Sequence, residues 1–278
     1  MADMKLFLGC LIPNSLPFIE STSRKLFDKL GIKTSDATFA CCPEPIGFKS
    51  MCKTSWLAMG ARNLCIAEAE GKDVVCLCSG CTQTLKSVQY ELHDEDNKAE
   101  INEILSNINK NYKGNIEVKH FVQVLMEDVG VDKIKSMVTN PMSKFKVACH
   151  TGCHYNRPSE IMQWDDPLKP KFLHELVAAT GATIVDYKDE EVCCGFGTGN
   201  TSKEVGTALA QNKMKNAKAG GANCLVVICP ACFLQLDSQV DLPILYLTEL
   251  ISLSMGMSYD DLNMNFHKEK KNIKNLLA

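Results

Sequence analysis

Residues 73–81 read AspValValCysLeuCysSerGlyCys, and residues 224–232 read CysLeuValValIleCysProAlaCys. Each is a short apolar run that ends on a Cys-x-x-Cys pair. An unbroken apolar run of this length fits a strand covered on both faces, as in a parallel sheet. Helical-looking segments follow both, TQTLKSVQYEL in one half and FLQLDSQV in the other. Working outward, apolar runs at 5–8 and 145–148 end just ahead of Cys10 and Cys153. The stretch 50–71 carries Trp56, Ala61, Leu64 and Ala67 at helical spacing, and 203–220 carries Val205, Leu209, Met214 and Ala217. Strands alternating with helices of this length predict an α/β fold with a mainly parallel sheet. Ligands in such sheets sit beyond the carboxyl ends of the strands, where three of the cysteine elements fall.

The 15 cysteines of this 278-residue chain are too many for packing alone. Ten form one pattern twice: Cys10, Cys41-Cys42 and Cys78/Cys81, then Cys153, Cys193-Cys194 and Cys229/Cys232. Corresponding members lie 143, 152 and 151 residues apart, which marks an internal duplication. The segments EVKHFVQVLMEDVG and LPILYLTELISLSMG also match, at a shorter offset. The first half therefore carries an insertion, placed at 93–115, where EINEILSNINK has helical spacing. The turn signal Asn140-Pro141 puts the boundary between domains 1–140 and 141–278. The second domain ends in a polar, basic tail, expected to be solvated.

Composition excludes several classes. A net charge of −3, from 30 basic and 33 acidic residues, argues against a nucleic-acid binder. No apolar stretch reaches the roughly 18 residues of a membrane span, and the N-terminus is too short for a signal-peptide core. A cytoplasmic protein is expected. A disulfide framework suits small secreted chains, not this one with its odd cysteine count. Zinc wants four tetrahedral ligands, whereas each half offers five thiolates including an awkward vicinal pair. Iron–sulfur clusters take thiolates too, and a fifth suggests an open or distorted cluster. Pro43 and Pro45 after the first pair, and Gly195, Gly197 and Gly199 after the second, suit a bent backbone. Zinc in one half and a cluster in the other stays open, as does thiol–disulfide exchange by a low-pKa Cys-x-x-Cys.

The doubled motif, CysCysPro at 41–43 and CysCysGly at 193–195, resembles the cysteine-rich CCG domain. Nearly the whole chain is similar to the B-subunit family of heterodisulfide reductases from methanogenic archaea. The resemblance implies two tandem pseudo-symmetric Rossmann-like domains. It implies two noncubane [4Fe–4S] clusters, one on Cys10, Cys41, Cys42, Cys78 and Cys81, the other on Cys153, Cys193, Cys194, Cys229 and Cys232. It implies reduction of the coenzyme M–coenzyme B disulfide between them. Implied partners are the heterodisulfide reductase C subunit with cubane iron–sulfur clusters and the flavin-bearing A subunit, fed by a hydrogenase or formate dehydrogenase. Since no ferredoxin-type cysteine run is present, electrons must come from another chain. The alternative is an electron-transfer subunit of a succinate:quinone reductase or a lactate or glycolate oxidase.

Outside the cysteines, His154 is a candidate catalytic and substrate-binding residue, with a structural role as the alternative. Arg157 is a candidate clamp for a substrate anion, against a plain ion pair. The Gly195–Asn200 stretch lacks the spacing of a nucleotide-binding loop. Cys52, Cys65, Cys76, Cys149 and Cys224, with Trp56 and Met59, are expected in the core.

Overall fold

The computed structural model describes residues 3–43 and 47–278; Pro45 lies outside them. Among the described residues, eight strands form two four-stranded sheets of identical topology. The first contains β1 (Met4–Phe7), β2 (Thr34–Ser35), β3 (Val74–Cys76) and β4 (Val118–His120), in the order β2-β1-β3-β4. The second contains β5 (Lys146–His150), β6 (Thr183–Ile184), β7 (Cys224–Val227) and β8 (Ile244–Tyr246), in the order β6-β5-β7-β8. Every pairing is parallel, and the registers correspond: Phe7 faces Cys76 as His150 faces Val227. Strands β1, β3 and β7 are buried along their whole length, which explains their unbroken apolar reading. In each sheet the chain leaves the first strand on one side and returns on the other. The crevice beyond β1 and β3, like that beyond β5 and β7, is therefore a topological switch point, the usual ligand position.

Helix Lys53–Glu68 buries Trp56, Ala61, Leu64 and Ala67 as the spacing predicts, but Met59 is 40% exposed. Helix Lys203–Ala219 buries Met214 and Ala217 as expected, but its first turns are rotated from the expected face. Gly206, Ala210, Lys213, Met214 and Ala217 are buried, while Val205 is exposed. The cause is close packing: a Cβ on Gly206 would lie 2.7 Å from Gly199 Cα and 2.8 Å from the Gly195 oxygen. Only a glycine lets the loop after the second vicinal pair come so near, and that outranks the apolar period. Within the predicted insertion, helix Glu95–Ser106 starts at an Asp94 cap that accepts from Asn97 N (2.9 Å) and buries Ile101 and Leu105. It packs on helix Lys53–Glu68, so it is part of the core as well as of the surface.

Four of the five extra cysteines are buried as expected; Cys52 is exposed. The tail departs from a simply solvated end. His267 is wholly buried and Ile273 packs inward from the helix Lys270–Leu277. His267 Nδ1 lies 2.8 Å from the Ile244 oxygen, and Nε2 lies 2.8 Å from Glu249 Oε1. Both partners are acceptors, so both ring nitrogens donate and the ring is cationic. Burial opposes that charge, but the Glu249 carboxylate and its hydrogen bond outweigh burial and raise the His267 pKa above the ordinary 6.5. Glu249 also accepts from Tyr246 N (2.8 Å), closing the end of β8 onto helix Leu247–Ser254.

A raised folded-state pKa contributes stability that is full below the ordinary value and lost as pH rises through the folded value. His267→Ala leaves a buried carboxylate without its cation and should cost about 3–5 kcal/mol near neutral pH. Chemical denaturation of both proteins across a pH series tests this. The gap should narrow as alkaline pH discharges His267, and a pH-independent gap would contradict the cationic ring.

Candidate metal centre

The two switch points each collect five cysteines. In the first half, β1 is followed two residues on by Gly9, whose left-handed backbone turns the chain to Cys10 at the start of helix Leu11–Ser15. A Cβ on Gly9 would stand 2.7 Å from Cys81 Sγ. Gly152 repeats the arrangement after β5, with a Cβ position 3.1 Å from Cys232 Sγ. Cys78 and Cys229 occupy the N-cap positions of helices Ser79–Glu91 and Pro230–Asp237, and Cys81 and Cys232 sit in the first turns. Unpaired helix amides there favour negative sulfur.

The vicinal pairs arrive on loops that long side chains hold in place. Asn63, buried on helix Lys53–Glu68, accepts from Ala40 N (2.9 Å) and donates to the Cys41 oxygen (3.0 Å). Lys213 stands 150 residues further on, at the matching place on helix Lys203–Ala219. Its buried ammonium donates to the Asp189 and Glu190 oxygens at 3.1 and 2.8 Å, just ahead of Cys193. Sequence patterning singles out neither residue. Both stand as polar residues on an otherwise apolar helix face, which is the available signal.

The sulfurs within each set are close enough to share protons. Cys153 Sγ lies 4.0 Å from Cys193 Sγ, and Gly195 N donates to Cys193 Sγ at 3.3 Å. Hydrogen bonds from Cys153 and Cys194 push Cys193 down to about 2, while the Cys193 thiolate pushes Cys194 up to about 12. In the first set, Cys41 and Cys81 hold Cys42 well below the thiol range, and Cys42 in turn raises Cys41 and Cys81. A largely buried set, with only Cys10 exposed, in which one thiolate keeps its neighbours protonated is short of positive charge. Five sulfurs converging on a cavity fit a multinuclear metal group that takes several thiolates at once.

The two sets also meet each other. A hydrogen bond with Cys229 raises Cys78, so the leading cysteines of both Cys-x-x-Cys turns touch across the pseudo-twofold. A cavity of about 120 Å³ is lined by all five first-set cysteines and also by Cys229, His154 and Phe196. A second, of about 230 Å³, is lined by all five second-set cysteines and again by His154 and Phe196, with Ser79 from the first half. His154 therefore faces both sets. Its Nδ1 is 4.0 Å from the Cβ position of Gly80, over the Cys-Ser-Gly-Cys turn of the other half. Tyr246 reaches the main-chain oxygens of Leu77 and Ile228, the latter at 2.9 Å, and so ties together the residues preceding Cys78 and Cys229. At the end of β4, His120 plays the matching part. Its Nδ1 accepts from Val122 N (3.3 Å), which leaves the proton on Nε2 to donate to Ser79 Oγ (3.3 Å). Burial lowers its pKa to about 3, so the ring is neutral.

Arg157 is not at either cavity. Its guanidinium reaches Glu191 Oε2 (3.4 Å) and the Pro167 oxygen (3.2 Å), which corrects the anion-clamp expectation in favour of the ion pair. The loop Phe196–Gly199 forms a short helix beside the second set, as a bent support and not a nucleotide loop.

Twin parallel sheets with facing cysteine sets at their switch points define a duplicated, cysteine-rich α/β protein. The family model described as "Cysteine-rich domain" (CCG) matches residues 4–86 and 147–237, and the chain belongs to this family. It is 37% identical over 95% of its length, and 93% of the relative's, to the B subunit of the ferredoxin/F(420)H(2)-dependent CoB-CoM heterodisulfide reductase of Methanosarcina acetivorans. It is 36% identical, with the same coverage, to the B subunit of the ferredoxin:CoB-CoM heterodisulfide reductase of Methanosarcina mazei. The 8-methylmenaquinol:fumarate reductase membrane anchor subunit of Wolinella succinogenes is 28% identical over 95% of each chain. A hypothetical protein of Helicobacter pylori shares the fold at 15% identity and a TM-score of 0.75, over 97% of this chain and 52% of that one. Among the described residues, no helix is long and apolar enough to cross a membrane.

Proposed function

We propose that the chain is the disulfide-reducing subunit of a heterodisulfide reductase, acting on the mixed disulfide of coenzyme M and coenzyme B. The observation that carries this reading is the shared wall. Each complete five-cysteine set lines a cavity of its own, and His154, Phe196, Cys229 and Ala231 line both cavities. The relatives named as B subunits of heterodisulfide reductases support the substrate. Cys10, Cys41, Cys42, Cys78 and Cys81 would hold one noncubane [4Fe–4S] cluster, and Cys153, Cys193, Cys194, Cys229 and Cys232 the other. Bound there, two such clusters would supply one electron each.

The protein's own part is geometric. Cleaving one S–S bond to two thiols takes two electrons and two protons. With a disulfide bound between the sets, each sulfur would face one set, so that neither need leave as a free radical. In this reading His154, half-buried and lining both cavities, would face a departing sulfur as a hydrogen-bonding partner. The apolar walls from Leu8, Phe196, Pro230 and Ala231 keep water away from the bond. Electrons arrive from partner chains, namely the cubane-cluster C subunit and the flavin-bearing A subunit, with a hydrogenase or formate dehydrogenase behind them. The cytoplasm is the proposed location.

The Wolinella relative, named as part of a menaquinol:fumarate reductase, favours a second reading, an electron-transfer subunit that exchanges electrons with a quinone/quinol couple. One preparation separates the two. Anaerobically purified protein should carry about eight irons with matching sulfide, and should oxidise a reduced viologen dye only when the heterodisulfide is added. Stoichiometric zinc, or oxidation by a menaquinone analogue and not by the disulfide, would overturn the proposal.

A further inference from the structure

The two cysteine sets are not equivalent, and the difference is His150. It ends β5, three residues before Cys153, and is 1% exposed. The matching residue in the first half is Phe7, three before Cys10, whose ring packs on Phe39 with centroids 4.9 Å apart. A ring nitrogen of His150 and the sulfurs of Cys194 and Cys232 all lie within 4.8 Å of one another. Neither ring nitrogen has a hydrogen-bond partner; the Glu190 main chain comes near without a well-formed bond. Every protonation state of imidazole carries at least one N–H, and leaving it buried and unmatched is costly. A nitrogen aimed at two thiolates of a metal-holding set finds its partner in what the set holds.

We propose that a ring nitrogen of His150 contacts the metal group of the second cysteine set, and that this raises that group's reduction potential above the first set's. Nitrogen ligation in place of thiolate, and N–H donation to cluster sulfur, both stabilise the reduced form by lowering negative charge at the metal. The first set, with a phenylalanine at this place, has no such contact. The second group therefore accepts an electron first. The inference rests on the iron–sulfur reading above.

The test is a reductive titration of the full, anaerobically prepared chain, followed by EPR, with iron counted in each sample. The wild type should show two separated midpoints. His150→Phe, which copies Phe7, should keep its iron and move the higher midpoint down toward the lower. His150→Gln, which keeps an N–H, should recover part of the separation. With 15N-labelled histidine, pulsed EPR should show a nitrogen coupling that both variants lose. Unchanged midpoints in a fully loaded His150→Phe, or an undiminished coupling in His150→Gln, would overturn the inference and leave the iron–sulfur reading standing. A wild type without iron in the second set would overturn that reading and the inference with it.

Discussion

Replacing Cys42 or Cys193 by alanine should halve the iron content, from about eight to about four atoms per chain, and abolish heterodisulfide-dependent dye oxidation. Cys42 is buried and hydrogen-bonded to both Cys41 and Cys81, and its thiolate lies at the centre of the first set. In the second set the low-pKa thiolate is Cys193, the counterpart of Cys41, hydrogen-bonded to Cys153 and Cys194. Removing either takes away the sulfur that the others are arranged around. One loaded set can take one electron, and a disulfide needs two. The expected activity loss is therefore complete in each single variant, although half the metal stays. Cys224→Ala is the control. Cys224 is fully buried at the start of β7, outside both cavities, and burial raises its pKa beyond the ordinary thiol range. It is a packing residue, so its loss should cost about 1–2 kcal/mol of stability and no iron. Full iron in Cys42→Ala or Cys193→Ala would remove those residues from the ligand sets.

The duplicated fold is legible in the sequence because both of its signals are short-range. The strands before Cys78 and Cys229 are covered on both faces, so their apolar runs are continuous. The cysteines sit where strand order dictates that ligands bind. What stays hidden depends on long-range packing. Helix Lys203–Ala219 shows Val205 to solvent because Gly206 must face the Gly195–Gly199 backbone, and no periodicity reports a contact between two distant glycines. Asn63 and Lys213 support the vicinal pairs through loop carbonyls, and Tyr246 spans the halves through the oxygens before each Cys-x-x-Cys. Such bonds leave no trace in local spacing. Arg157 misleads for the same reason: its charge is visible, but its neighbour Glu191, 34 residues away, is not. The tail misleads because a run of lysines conceals His267, whose partner Glu249 lies on another helix.

Gly195→Ala should unseat the second metal group while leaving the first intact. Gly195 has φ of +90°, and an added Cβ would fall 2.3 Å from the Gly206 oxygen and 3.0 Å from its carbonyl carbon. Those atoms are main chain inside helix Lys203–Ala219, so no side chain can rotate away. Relief requires the loop to move, and the loop carries Cys193 and Cys194 on the preceding two residues. The same shift breaks the 3.3 Å bond from Gly195 N to Cys193 Sγ, which helps keep that sulfur ionised. Left-handed strain and overpacking together should cost about 3 kcal/mol or more. Iron should fall to about half, with the second cluster's EPR signal lost. Gly221→Ala separates the two causes. Gly221 also has a left-handed φ, +94°, but nothing lies within 4 Å of its Cβ position. It should lose only about 1 kcal/mol and keep all its iron. If Gly195→Ala behaves like Gly221→Ala, the close backbone packing is not what positions the second vicinal pair. If iron is lost from Gly195→Ala alone, the third letter of CysCysGly holds its place by sterics at Gly206, and the first half, with Pro43 there instead, must bend its own pair by a different route.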